Sequence, residues 1–314
     1  MLSKAISIVF VTVLLYGGVD AQAQPQPPTH AAAQTTPKPV AKYGSNPATG
    51  KTFTHDGVKL YYEVYGAGEP LLLVHGNGGS IASFKAQIDH FRKGYEVIAM
   101  DSRDQGKSGD SPDKITYEKM TDDLAALLDH LNTGPVNVLG WSDGGIEALL
   151  LGIRHPAKVK KIAAMAANLN PSEEAIYPEV IAFAKSIMMD SMPAAARETP
   201  QGKRELKVTQ MLFDEPHIDA KALEAITAPT LVLAGDHDAI RDEHTLEIYH
   251  HIPNSQLCVF PNSTHTALYD NPDLFNATVE RFFRTPFAKK DRVKDFLNSF
   301  EAMRAPIVSG IAAR

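Results

Sequence analysis

Nine residues, Val138-Leu-Gly-Trp-Ser-Asp-Gly-Gly-Ile146, constrain what this chain can fold into more than any other stretch. An apolar β-run (Val136, Val138, Leu139) enters Gly140-Trp141-Ser142-Asp143-Gly144, and an alanine- and leucine-rich helix, Ile146 to Ile153, leaves it. A chain that passes from strand to helix so abruptly forces Ser142 into a strained, positive-φ conformation. Glycine is then required at 140 and 144, where a Cβ would collide with neighbouring backbone. The turn pushes the Ser142 hydroxyl out at the N-terminus of the helix.

A serine hydroxyl is a poor nucleophile until a base takes its proton, and that base needs a carboxylate to fix its tautomer and stabilise its charged form. Later apolar runs supply both. The run Thr230–Ala234 ends in Gly235-Asp236-His237-Asp238, and the run Gln256–Phe260 ends in Pro261-Asn-Ser-Thr-His265, with Asn271-Pro272 and a final helix beyond. Either Asp236 or Asp238 can serve as the acid on this reading. Upstream, the uniformly apolar strand Pro70-Leu-Leu-Leu-Val74 runs into His75-Gly76-Asn77-Gly78-Gly79, a loop able to aim backbone N–H groups at a developing oxyanion.

The rest of the chain alternates. A hairpin is predicted from Thr52 to Tyr65, turned at Asp56-Gly57. A helix from about Ile81 to Arg92, a strand Tyr95–Met100 and the loop Asp101–Ser108 follow. The helix Tyr117–Leu131 carries Tyr117, Met120, Leu124, Leu127, Leu128 and Leu131 on one face. Further strands are predicted at Val159–Met165, Thr230–Ala234 and Gln256–Phe260, with a helix at Glu243–Tyr249. Regular alternation of this kind implies a doubly wound, mostly parallel α/β sheet. Residues 170–228, 59 positions (228 − 170 + 1), break the rhythm: they hold helical stretches such as Pro178–Met188 and Gly202–Phe213 but no strand-like run. They read as a helical cap insertion. Its Met188, Met189, Met192, Met211, Tyr177, Phe183 and Phe213 suit packing individually and an apolar pocket roof collectively.

The ends of the chain carry other signals. Residues 1–23 combine Lys4, an apolar core from Ala5 to Tyr16 and the small-x-small site Ala21-Gln22-Ala23, the pattern of a secretory signal peptide. Export to the periplasm or medium is the expectation, without stable membrane association once the signal is cleaved. Residues 24–47, rich in Pro, Gln, Ala and Thr, read as a disordered linker, leaving one domain over 48–285. Residues 286–314 form a basic amphipathic tail with Val293, Phe296, Leu297, Phe300 and Met303 at helical spacing, expected to dock on the body. The single cysteine, Cys258, excludes an intramolecular disulfide and reads as a buried, inert thiol. The net charge of −6 is unchanged by loss of Lys4 and Asp20 with the signal, and it argues against nucleic acid and anionic membranes as partners. His237, His244, His250 and His251 have no Cys or carboxylate pattern around them and read as solvated, and His75 as structural in its loop. No metal, phosphate loop or dinucleotide fingerprint is expected, and hence no cofactor.

From about residue 52 to 285 the chain resembles α/β-hydrolase-fold serine hydrolases, on His75-Gly76, Asp101-x-Arg103, the Gly140–Gly145 elbow, Gly235-Asp-x-Asp238 and His265. Its elbow is similar to that of the valacyclovir hydrolase (biphenyl hydrolase-like) branch. The order Ser142, Asp238, His265, at intervals of 96 and 27 residues, matches the order of this architecture. The resemblance implies Ser142 as nucleophile, His265 as base then acid and Asp238, rather than Asp236, as the orienting acid. It implies an oxyanion hole from the N–H groups of Asn77 and Asp143. Trp141, Met188, Met211 and the Asp143 side chain are candidates to touch substrate. For Asp143, contact with a cationic substrate group competes with a simpler role at the start of a helix. Serine at 142, where epoxide hydrolases and dehalogenases of this fold place aspartate, narrows the chemistry to acyl transfer on a small-molecule ester or related acyl bond. A cofactor-free perhydrolase, a carbon–carbon bond hydrolase and a catalytically silent binding protein remain as other readings.

Overall fold

The computed structural model describes residues 42–288, 291 and 293–301, so the signal segment and most of the expected linker lie outside the described residues. Strands β1 (Lys51–His55) and β2 (Val58–Gly66) form the hairpin, and Asp56 and Gly57 both adopt positive φ (44° and 73°), as a two-residue turn matching the strand twist requires. Strand β3 (Glu69–Val74) leads through a 3-10 turn (Ile81–Phe84) into α1 (Lys85–Phe91), and β4 (Tyr95–Asp101) into α2 (Tyr117–Leu131). Strand β5 (Val136–Trp141), α3 (Asp143–Arg154) and β6 (Val159–Met165) precede the cap. The cap holds α4 (Pro178–Ala184), continued by π-helical turns over Lys185–Asp190, then α5 (Ala194–Arg197) and α6 (Pro200–Asp214). Strand β7 (Thr230–His237), α7 (Asp242–His251), β8 (Ser255–Thr264), α8 (Ala267–Asp270) and α9 (Pro272–Arg284) complete the domain.

The eight strands form one sheet in the order β1-β2-β4-β3-β5-β6-β7-β8. The two pairings made by β2 are antiparallel, with β1 and with β4, and all others are parallel. Strand β3 shows why a parallel strand reads as unbroken apolar sequence. Leu72 and Val74 enter the core on the face covered by α2 and α3, whereas Leu71 and Leu73 enter the core on the face covered by α1 and α9. On α2 the expected stripe is buried from Tyr117 to Leu128, with Leu131 partly buried at its end. Thr116 caps its first turn, accepting from the Lys119 N–H at 3.3 Å, and Asn132 ends it in the left-handed region.

Three expectations change at the margins. Order begins before residue 48: Tyr43 is buried, its hydroxyl donates to Asp89, and the Gly44 and Asn46 N–H groups donate to Glu63 at 2.8 and 2.9 Å. Glu63 is fully buried at the sheet edge and accepts also from the hydroxyls of Tyr61 and Tyr65, both at 2.6 Å. A buried carboxylate with only two tyrosine donors would keep unsatisfied lone pairs, and the preceding segment supplies the other donors. Second, the tail is helical over residues 293–301, where Val293, Phe296, Leu297 and Phe300 are each more than half exposed rather than docked; Met303 lies outside the described residues. Third, Cys258 is half-buried on β8, burial raising its thiol. Among the described residues no helix is long and apolar enough to cross a membrane.

Glu63→Gln keeps the shape of the latch but replaces half of its acceptors with donors that face other donors. It should cost about 2 kcal/mol in urea unfolding and render the segment around Tyr43 sensitive to protease. Unchanged stability and cleavage would show that residues 43–46 are not held by this carboxylate.

Candidate active site

Strand β5 delivers Ser142 at the centre of the sheet's carboxy edge with φ 57° and ψ −120°. The strain is held from all sides. A Cβ on Gly140 would be driven into the carbonyl oxygen of Gly144, and a Cβ on Gly144 into that of Val74 on the neighbouring strand. The Ser142 N–H donates to the Met165 carbonyl at 2.9 Å, and the Ser142 carbonyl accepts from Gly145 and Ile146, the start of the α3 ladder. Leaving out those two side chains is what lets helix and strands approach closely enough to fix the turn.

Two loops bring partners to the serine. The His265 Nε2 lies 2.9 Å from the Ser142 Oγ, and its Nδ1 lies 2.8 Å from the Asp238 Oδ1. Asp238 is buried and also accepts from the Gly235 and Ile240 N–H groups. Burial works against its ionisation, but the hydrogen bond and charge of His265 and these N–H donors hold its carboxyl below the usual range. Asp236, two residues earlier, is exposed and accepts from the Asn262 and Ser263 N–H groups at 2.8 and 2.9 Å; it pins the end of β8, and its hydrogen bonds go there rather than to His265. The loop bearing His265 is secured twice more. Asp270 accepts from the Thr264 N–H at 2.7 Å, and the Trp141 indole N–H donates to the His265 carbonyl at 2.8 Å.

Beneath the serine lies a buried polar layer that sequence reasoning missed. The Asp143 carboxylate is buried, accepting from the Tyr117 hydroxyl at 2.8 Å and the Asn77 amide at 2.9 Å. Burial pushes its pKa up to about 6, against those two hydrogen bonds and the charge of His265. One turn on along α3, Glu147 is fully buried, and neither carboxyl oxygen has a partner among the described residues. Below it Arg103 makes two 2.6 Å bonds to Asp123, which also meets the His55 Nδ1 at 2.8 Å. Nothing marked the Asn77 and Tyr117 contacts in advance beyond their polar atoms on otherwise buried stretches.

This layer changes the reading of the substrate-contact candidates. Asp143 faces inward and its carboxylate is engaged by Tyr117 and Asn77, so it does not present a negative charge to a cationic substrate group. Trp141 is half-buried, 6.2 Å from the His265 ring between centroids, and its only polar atom is spent on the His265 loop. Met211 is buried in the core beside Val208 and is not part of a roof. Met188 is half-buried on the extension of α4, where Ile187 is exposed, as is Phe183 on α4 itself.

Two histidines also settle into structure. His75 is buried, with Nδ1 donating to the Gly76 carbonyl and Nε2 accepting from the Ser102 N–H, one tautomer satisfying both. His244 was expected in solvent; it is buried instead, accepting from the Leu169 N–H at 2.9 Å and so tying α7 to the exit of β6.

The family described as alpha/beta hydrolase fold matches residues 69–212, which include the loop after β3, the elbow and most of α6. The chain is a hydrolase of the α/β-hydrolase fold. It is 28% identical over 268 residues to the serine hydrolase BPHL of Mus musculus, across 79% of this chain and 90% of that protein. It is 27% identical over 271 residues to a 2-hydroxy-6-oxononadienedioate/2-hydroxy-6-oxononatrienedioate hydrolase of Burkholderia vietnamiensis, across 73% of this chain and 93% of that one. Among solved structures it shares its fold with MGS-M2, an α/β hydrolase enzyme from a Medee basin deep-sea metagenome library, at a TM-score of 0.64 and 21% identity over 77% of this chain and 100% of that one.

Glu147 gives this hydrolase a testable pH signature. Burial, then the charges of Asp143 and Asp123, hold its carboxyl well above the ordinary 4.5, and Arg103 only partly offsets them. The folded chain therefore keeps a proton that the unfolded chain releases above that value, and stability falls as pH rises until the folded group itself ionises. The slope is about 1.4 kcal/mol per pH unit. Glu147→Gln should remove it, its advantage over wild type in urea unfolding growing as pH rises above 4.5. A constant difference across that range would mean Glu147 is not carried as a neutral acid.

Proposed function

We propose that this hydrolase cleaves a carboxylic ester, or a related acyl bond, of a small molecule through an acyl-enzyme on Ser142. The carrying observation is the unbroken chain from Ser142 Oγ to His265 Nε2 (2.9 Å) and from His265 Nδ1 to Asp238 Oδ1 (2.8 Å), set behind a serine in a positive-φ turn. Similarity to a protein named as a serine hydrolase supports the same reading.

In this mechanism Asp238 accepts the Nδ1–H of His265, leaving the Nε2 lone pair to accept from the Ser142 hydroxyl. Ser142 Oγ attacks the acyl carbon as its proton passes to Nε2. The oxyanion that forms is met by the N–H groups of Asn77 and of Asp143, the latter at the start of α3, where helix N–H groups lack intrahelical acceptors. His265 then protonates the leaving alcohol. Water attacks the acyl-enzyme with His265 again as base, and the acid is released with Ser142 restored. The similarity to a dienedioate hydrolase favours carbon–carbon bond cleavage as the second reading, in which a vinylogous diketone would turn over faster than its ester analogue. We place the enzyme outside the cytoplasm on its signal-like residues 1–23, with a new N-terminus near Gln24.

Ser142→Ala and His265→Ala should each reduce ester turnover by ~10³–10⁶-fold while leaving the unfolding midpoint close to wild type. Ser142→Ala should also abolish labelling by a fluorophosphonate. Asp238→Asn should cost roughly as much as His265→Ala or somewhat less, and Asp236→Asn should act mainly on stability. Greater loss of turnover from Asp236→Asn would refute the assignment of the acid. Export is checked by N-terminal sequencing of protein from its native host: an intact Met1 on cytoplasmic protein would overturn it.

A further inference from the structure

The two residues whose N–H groups form the proposed oxyanion hole are bonded to each other through their side chains. The Asn77 Nδ2 donates to the Asp143 Oδ2 at 2.9 Å and, with its second hydrogen, to the Val208 carbonyl of cap helix α6 at 3.0 Å. Turning the amide over would set its oxygen against two acceptors, so the orientation is fixed by its partners. Its Oδ1 is buried without a partner among the described residues, a local cost that a residue present only to fill space would not carry.

Helix α6 is the seated half of the cap. Val208 and Met211 are buried in the core, Lys207 Nζ donates to the Ser111 carbonyl at 2.6 Å and pairs with the buried Asp104, and Arg204 pairs with Asp110. The α4 half exposes Phe183 and Ile187. Asn77 thus joins three bodies: the loop after β3, the elbow and the seated cap helix.

We propose that the Asn77 side chain is a positioning residue that couples the seating of α6 to the oxyanion hole, so that acyl transfer runs at full rate only with α6 in place. The proposal rests on the serine hydrolase reading above. Asp143 holds the side chain of Asn77, and through it the spacing between the two N–H donors; the Val208 carbonyl makes that spacing depend on the cap. Because an oxyanion hole acts on the transition state, loosening it lowers kcat and leaves KM nearly unchanged.

The experiment measures fluorophosphonate labelling rate, kcat and KM on a nitrophenyl ester, and thermal midpoint for wild type, Asn77→Ala, Asn77→Leu, Asn77→Asp, Lys207→Met and the double variant Asn77→Ala/Lys207→Met. Asn77→Ala and Asn77→Leu keep the backbone N–H and should lose ~10–100-fold in kcat and labelling rate, with KM within about twofold. Lys207→Met, which unpins α6 away from Ser142, should slow labelling about 3–10-fold alone and add nothing to Asn77→Ala, the non-additivity expected of one shared path. Asn77→Asp sets two carboxyls face to face and donates only when protonated, so its labelling rate relative to wild type should rise as pH falls. Wild-type rates in Asn77→Ala and Asn77→Leu would overturn the proposal, as would Lys207→Met acting by the same factor in both backgrounds, or a flat ratio for Asn77→Asp. If wild type itself is not labelled at Ser142, the serine hydrolase reading fails and the coupling falls with it; labelling of wild type with any of the other negative results fails the coupling alone.

Discussion

The structure depends on a contact that contains no side chain. Gly140 and Gly144 let α3 begin directly against β5 and β3, with the Gly144 backbone close to the Val74 carbonyl and to Gly140. That approach holds Ser142 at φ 57°, a conformation that costs of order 1–3 kcal/mol for a residue with a Cβ. The cost is carried by the bonds from Ser142 to Met165, Gly145 and Ile146 and by a sheet packed on both faces. Everything proposed for the chemistry inherits this geometry. The hydroxyl stands clear of the sheet, α3 starts at Asp143 with its N–H groups beside the serine, and the strand ends on either side supply the remaining groups.

Those groups are held by backbone donors rather than by large side chains. Asp238 takes N–H bonds from Gly235 on β7 and from Ile240, Asp236 takes two from the last residues of β8, and Asp270 fastens Thr264 next to His265. Three aspartates near the carboxy ends of β7 and β8 therefore do different work, and only the most buried of them meets the imidazole. A carboxylate that accepts several N–H bonds gives up rotamer freedom in the fold, so little remains to be ordered when substrate binds.

Much of this was legible in the sequence because it is local or periodic. The unbroken apolar run of β3, the stripe on α2 and the turn at Asp56-Gly57 follow from spacings a single chain displays, whereas the choice of Asp238 over Asp236 beside His265 came from resemblance. What was not legible lies between distant positions. Asn77 meets Val208 across 131 residues, Tyr117 meets Asp143 across 26, and His244 meets Leu169 across 75; each polar atom had several conceivable partners until the sheet order was known. Asp143 shows the limit most clearly. A carboxylate in the first turn of a helix is compatible with facing solvent, substrate or core, and only the position of Tyr117 on the neighbouring helix decides for the core.

The cap was read as one apolar roof, and the structure divides it. Helical spacing identified both α4 and α6, but it could not distinguish a helix seated on the core from one standing off it, because both carry apolar residues. The difference lies in the polar residues between them: Lys207 and Arg204 on α6 find Asp104 and Asp110 on the loop after β4, and the buried Asp104 accepts from the Ser111 N–H as well. Space alone is no better a guide. A groove of about 830 Å³ opens by Leu231, Tyr249, Cys258 and Phe282, near the start of β7 and β8, at the opposite end of those strands from Asp238 and His265. Among the described residues its Cys258, Ser255 and His250 are not joined into a hydrogen-bonded line of nucleophile, base and acid, and the Ser255 hydroxyl donates to the Tyr249 carbonyl at 2.6 Å. The carboxy edge of the sheet has all three, and the half of the cap that is pinned there is the half that touches Asn77, so the boundary between fold and site runs through α6 itself.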